Sequence, residues 1–119
     1  MTVSEAIERV DALLQNDYSR SDKIKWLSEL DWKIKTTILD DEKFSFYGYD
    51  DSDFNYTDLL APPAFEELYL YWLEAKIHYY NGDNDQYNAA MILFNSVMQE
   101  FGDHHRRNHR AAPSGRFRF

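Results

Sequence analysis

The residues with the types and spacing to do chemistry form four small groups. Asp51-x-Asp53-x-Asn55 matches the first three ligand positions of a calcium loop. The glycine that turns such a loop is replaced by Tyr56, and the closing bidentate glutamate by Pro62, so no calcium site is expected. His104, His105 and His109 lie within two helical turns, with only Glu100 and Asp103 to complete a metal shell. A basic arm that contains histidine accounts for them better than a metal centre. Glu74 and His78 stand four apart, the spacing of an ordinary helix-face contact. Arg106, Arg107, Arg110, Arg116 and Arg118 crowd the last sixteen residues. Arginine can grip phosphates, carboxylates or aromatic faces.

None of these groups is a catalytic set. The chain has no cysteine, hence no disulfide, thiolate metal site or thiol nucleophile. It has no phosphate-cradling glycine loop, no G-x-S-x-G turn and no H-E-x-x-H pair. A nucleophile, a base and an orienting group do not occur together, so neither an enzyme nor a cofactor is expected.

The charge is split along the chain. Residues 1–103 hold 8 basic and 21 acidic residues, a balance of −13, and residues 104–119 hold five arginines and no acid. An acidic body repels nucleic acid, while the arm seeks a negative surface. With no nucleic-acid recognition motif beside it, protein is the expected partner. No apolar run is long enough to span a membrane. The opening MTVSEAIERV is no signal peptide, so a soluble, intracellular chain is expected.

The elements that position these groups are helices. Thr2 and Glu5 form a capping box ahead of the stripe Val3, Ala6, Ile7, Val10, Leu13 and Leu14, which ends near Gln15-Asn16. Ser19 or Ser21 caps a second helix from about Asp22 to Leu39. It is apolar at Ile24, Leu27, Leu30, Ile34 and Ile38, has Trp26 on its flank, and carries Lys23, Lys25, Ser28, Glu29, Asp31, Lys33 and Lys35 on the solvated remainder. Residues 40–61 keep neither helical nor strand period. They read as a long loop in which Asp40, Asp41, Glu42, Asp50, Asp51, Asp53 and Asp58 interleave with aromatics, with Phe44–Phe46 and Phe54–Tyr56 as possible extended pieces. Such a loop is either functional or a lid over the protein's own core.

Pro62 and Pro63 start a third helix, from about Ala64 to Tyr80, and Asn81-Gly82 stops it. Asp83, Asn84 or Asp85 caps the fourth, whose face is Tyr87, Ala90, Met91, Phe94, Val97, Met98 and Phe101. Gly102 ends that stripe, or the helix continues through His109; Pro113 and Gly115 then release the chain. The third helix is apolar almost all round, and a chain of 119 residues has little protein with which to cover it. Tyr69, Tyr71, Trp72, Tyr79 and Tyr80 are therefore expected at a contact with another subunit. The fold class is all-α: a small antiparallel bundle of about four helices with a long acidic-aromatic loop and a C-terminal arm. Residues 1–103 form the helical domain and 104–119 the arm.

The ordered series TVSEAIERVDAL, YSRSDKIKWLSELD, LLAPPAFEELY and KIHYYNGDNDQYN, with the longer run from Glu67 to His109, resembles the head–tail connector (adaptor) proteins of long-tailed bacteriophages and prophages. The resemblance covers residues 1 to about 109, is weaker over 40–56, and leaves APSGRFRF as an extension. It implies a non-enzymatic virion protein of the neck, made in the host cytoplasm and assembled as a homo-oligomeric ring, typically of twelve copies, below the portal. The ring extends the DNA channel, lets DNA pass without specific binding, and carries the next neck or tail component. By the same resemblance Arg106, Arg107, Arg110, Arg116, Phe117, Arg118 and Phe119 form a portal-docking arm. The acids Asp40, Asp41, Glu42, Asp50, Asp51 and Asp53 would line the lumen or meet the next ring. The alternative is a small acidic phage protein that inhibits a host nucleic-acid enzyme by imitating DNA charge.

Overall fold

The computed structural model describes residues 1–39, 46 and 48–109, with only the backbone of His109. The described residues form four α-helices and no strand: α1 (Val3–Leu13), α2 (Arg20–Ile34), α3 (Glu67–Asn81) and α4 (Asn84–His109). Short turns of π-helix (Lys35–Leu39) and 3-10 helix (Asp51–Asp53 and Pro63–Phe65) join them.

Local chemistry sets most of the boundaries. The Glu5 amide donates to Thr2 Oγ1 at 3.2 Å and the Thr2 amide to Glu5 Oε1 at 2.8 Å, the reciprocal box expected at the start of α1. The next free amides of that helix end, Val3 and Ser4, donate to the carbonyls of Thr57 (3.1 Å) and Phe54 (2.9 Å). The loop thereby caps α1 with its own backbone. Ser19 caps α2 through the Asp22 amide at 3.0 Å. That helix stops five residues short of the expected Leu39. The Thr36 and Thr37 hydroxyls bond the carbonyls of Trp32 and Lys33 (3.0 and 2.6 Å), competing with the regular ladder, and the backbone widens into a π-turn. Gly82 takes the left-handed conformation (φ 79°) that closes α3, and Asp83 caps α4 through the Gln86 amide at 3.2 Å.

The third helix lies at the centre. It packs against α1 and α2 on one side and against α4, its hairpin partner, on the other. Helices of the same protomer thus cover most of a helix that is apolar all round. Leu68, Tyr69, Leu73, Ala75 and Ile77 are buried within the protomer, and Tyr71 and Trp72 pack against the core from its edge. Tyr69 is fully enclosed and cannot serve as a subunit contact.

Two further expectations are corrected. Lys23 and Asp31, assigned to the solvated face of the second helix, are 3% and 0% exposed. Lys23 Nζ donates to Asp11 Oδ1 at 2.7 Å and ties α2 to α1. Phe54–Tyr56 is a turn rather than an extended piece, and the one β-bridge among the described residues joins Thr2 to Asp58; Phe44 and Ser45 lie outside the described residues. Of the two courses expected for the last helix, continuation through His109 holds and an end at Gly102 does not. Gly102 is buried in regular helix beside Phe101, whose ring stacks on Phe65 with centroids 5.2 Å apart. The step from body to arm at residue 103 therefore falls inside one continuous α4.

Candidate functional site

Two arrangements concentrate polar or aromatic chemistry, one closed and one open. The closed one is centred on Asp31. Gly48 (φ 117°) passes close to Ser28, where a side chain would be strained. Ser28 Oγ accepts the Tyr49 amide at 2.8 Å. So placed, Tyr49 donates its hydroxyl to Asp31 Oδ2, which also accepts the Leu60 amide at 3.0 Å. Tyr69 donates to Oδ1 at 2.7 Å, and the same phenol oxygen accepts the Ala61 amide at 2.7 Å. Burial pushes the Asp31 carboxyl up, against three hydrogen bonds that pull it down. Burial and the facing Asp31 push both phenols up as well. Asp31 and Tyr69 are fully covered, so no substrate reaches either of them. The work of the cluster is to pin the 48–61 segment and α3 onto α2, the lid role weighed for the loop.

The open arrangement is a strip of rings at the hairpin end. Tyr18 packs edge-on against Trp26 (centroids 5.6 Å) and Trp26 stacks on Tyr80 (5.5 Å, 10°). Tyr80 meets Tyr79 (5.1 Å), and Tyr79 meets Tyr87 across the turn (5.5 Å). Tyr18 is held by its hydroxyl, which donates to Asn81 Oδ1 at 2.7 Å. Tyr79 and Tyr80 are 57% and 54% exposed. Two clefts flank Tyr80. One, of about 350 Å³, is lined by Trp72, Lys76, Tyr79, Tyr80, Tyr87 and Met91. The other, of about 220 Å³, lies among Tyr18, Asp22, Lys25, Trp26 and Tyr80. Trp72 is fixed by donating Nε1–H to the Trp26 carbonyl at 2.8 Å, and Lys76 Nζ lies 4.9 Å from its ring centroid. Exposed rings of this kind, with polar groups at the edge, are the composition of a protein-binding surface.

Of the residues expected at a subunit contact, the structure thus brings Trp72, Tyr79 and Tyr80 to this strip. Tyr71 sits apart, its hydroxyl donating to Glu67 Oε2 at 3.1 Å. Tyr18, Trp26, Tyr87 and Met91 complete the strip, and the signal for Tyr87 was its place just across the Gly82 turn from Tyr79. Ile92 and Leu93, 68% and 49% exposed, add apolar surface on the outer face of α4.

Two of the described acids of the loop, Asp50 and Asp53, are spent on the loop itself. Asp50 caps the 3-10 turn, and hydrogen bonds from Ser52 hold its carboxyl below the usual range. Asp53 accepts from the Asp50 amide and from Thr57 Oγ1 at 2.8 and 2.9 Å. Asp51 is exposed, and Asp40, Asp41 and Glu42 lie outside the described residues. Arg106 and Arg107 are exposed on the last turns of α4, Arg106 pairing with Asp103. Arg110, Arg116, Phe117, Arg118 and Phe119 lie outside the described residues. His104 packs against Phe65 (5.3 Å), and no group of metal-ligating side chains occurs among the described residues. Burial pushes the Glu74 carboxyl up, and the charge of His78 pulls it back. No described helix is long and apolar enough to cross a membrane. No protein-family model matches the chain, and no curated protein or solved structure matches it either.

Proposed function

We propose that the chain is a structural adaptor of a long-tailed bacteriophage neck, acting by docking rather than by catalysis. Copies stand side by side in a ring below the portal, extend the DNA channel and carry the next neck or tail component. The observation that carries this reading is the pair of exposed rings Tyr79 and Tyr80, with half-buried Tyr87 beside them, on a body whose charge balance is −13 over residues 1–103. The rings supply a sticky lateral face, and a negative wall repels the phosphates of passing DNA. A contact of one face with a different face of the next copy closes a ring when the rotation closes. The exposed Ile92 and Leu93 offer a second apolar face for such a contact. Arg106 and Arg107, exposed on the last turns of α4, are the portal-docking element.

Electron microscopy of intact virions tests this, with the purified chain mixed with portal protein as the in-vitro counterpart. The expected result is a ring of this chain at the head–tail junction. A neck without it, together with capture of a host nucleic-acid enzyme by the purified chain, would replace the adaptor with the DNA-mimic inhibitor.

A further inference from the structure

Resting on the adaptor reading, we infer that the aromatic strip is the receptor for the Arg-Phe-Arg-Phe segment (residues 116–119) of a neighbouring copy. Three observations carry this. The first is reach. Tyr87 and His109 stand at opposite ends of α4, 22 residues apart, which is about 33 Å of helix. The ten residues 110–119 span at most about 33–36 Å when fully stretched. A chain's own arm would be used up in arriving at its own strip, with nothing left to lie in it. A second copy has no such constraint.

The second is chemical match. The strip offers two clefts on either side of Tyr80. If the segment bound in extended form, Phe117 and Phe119 would share one side about 7 Å apart, with Arg116 and Arg118 on the other. Tyr80 lines both clefts, so an occupant with two nearby rings can use both.

The third is charge. Acids flank the strip: Asp22 lines the smaller cleft, Glu29 lies 3.6 Å from Lys76, and Asp83 and Asp85 stand exposed at the hairpin tip. Lys25 and Lys76 oppose them locally, but the body as a whole is strongly negative and the arm has only positive charge. A basic aromatic segment from a sister chain meets this surface with complementary charge.

The test uses the full-length chain carrying photoreactive benzoylphenylalanine at position 117. Isotopically light and heavy copies are mixed in equal amounts, irradiated, and mapped by mass spectrometry. The expected product joins position 117 to the segment between Trp72 and Met91 in light–heavy pairs. Its yield should fall about threefold to tenfold in Tyr79→Ala, a loss of one exposed ring contact. It should also fall as salt rises from about 0.1 to 1 M, where screening shortens to about 3 Å. Products only in light–light and heavy–heavy pairs, or products elsewhere on the body, overturn the inference. So does complete transfer of the cross-link to portal protein when that is added. Sedimentation of the same mixtures separates the two readings. Rings without the 72–91 product sink the arm assignment alone. The product without any ring in the presence of portal keeps the arm assignment and sinks the adaptor.

Discussion

Tyr69 on α3 donates its hydroxyl to Asp31 on α2 at 2.7 Å, across 38 residues of sequence, and both side chains are fully buried. The Tyr69 oxygen accepts the Ala61 amide in return, so one phenol joins two helices and the incoming loop. Removing a buried partner leaves the others unpaired, which costs more than the bond itself contributes. Tyr69→Phe is expected to destabilise the fold by about 2 kcal/mol, and Asp31→Ala by about 2–4 kcal/mol. Urea unfolding should show lower midpoints with unchanged slope.

Asp31 also makes a pH prediction. Its carboxyl is raised above the ordinary aspartate value of 3.8, so between 3.8 and the folded value the native state holds more protons than the unfolded chain. Stability therefore falls as pH rises through that window, and the relief is fully present below 3.8. Asp31→Asn lacks this response. The stability of the natural chain relative to Asp31→Asn should increase as pH is lowered toward 4 in chemical denaturation. The opposite slope would show that the three hydrogen bonds outweigh burial. Glu5 and Asp50, whose carboxyls are held low by local hydrogen bonds, act in the opposite sense but equally in both proteins.

The Lys23–Asp11 pair predicts an asymmetry. The lysine side chain is 4% exposed and the aspartate 44%. Asp11→Ala strands a covered ammonium and should cost about 1–2 kcal/mol after allowance for the partner's exposure. Lys23→Met keeps the packing, removes the need for a partner, and should stay within about 1 kcal/mol of the natural chain. Thermal unfolding of the two variants at one pH checks the order.

Helix caps and the stop at Gly82 were legible in the sequence because they are decided by neighbours within four residues: Thr2 with Glu5, Ser19 with Asp22, Gly82 after Asn81. The Asp31 cluster was not. An aspartate between Glu29 and Lys33 has the local signature of a wet helix face, and its burial is imposed by Tyr49 and Tyr69, 18 and 38 residues away. The greasy third helix was recognised as needing cover on every side. Sequence could not say that α1, α2 and α4 supply most of that cover, leaving Tyr79 and Tyr80 as its strongly exposed rings.

The two helix-associated glycines should answer alanine with opposite signs. Gly82→Ala forces a side chain into the left-handed region (φ 79°) and should cost about 1 kcal/mol. At Gly102 an added Cβ meets only the Arg106 guanidinium, at 3.5 Å, in regular helix. Gly102→Ala should stabilise by about 0.5–1 kcal/mol. Paired thermal melts test the contrast, and destabilisation by Gly102→Ala would mean that the Phe65–Phe101 packing requires the bare backbone.

Trp26, 5% exposed, stacks on Tyr80, Trp72 lies beneath Lys76, and Trp32 stands 48% open on the outside of α2. The molecule thus carries its own optical reporters. Emission from Trp26 and Trp72 should shift when anything seats on the strip, while iodide continues to quench Trp32. Single-tryptophan variants can then follow docking in a cuvette and distinguish it from unfolding, which would redden Trp26 and Trp72 together.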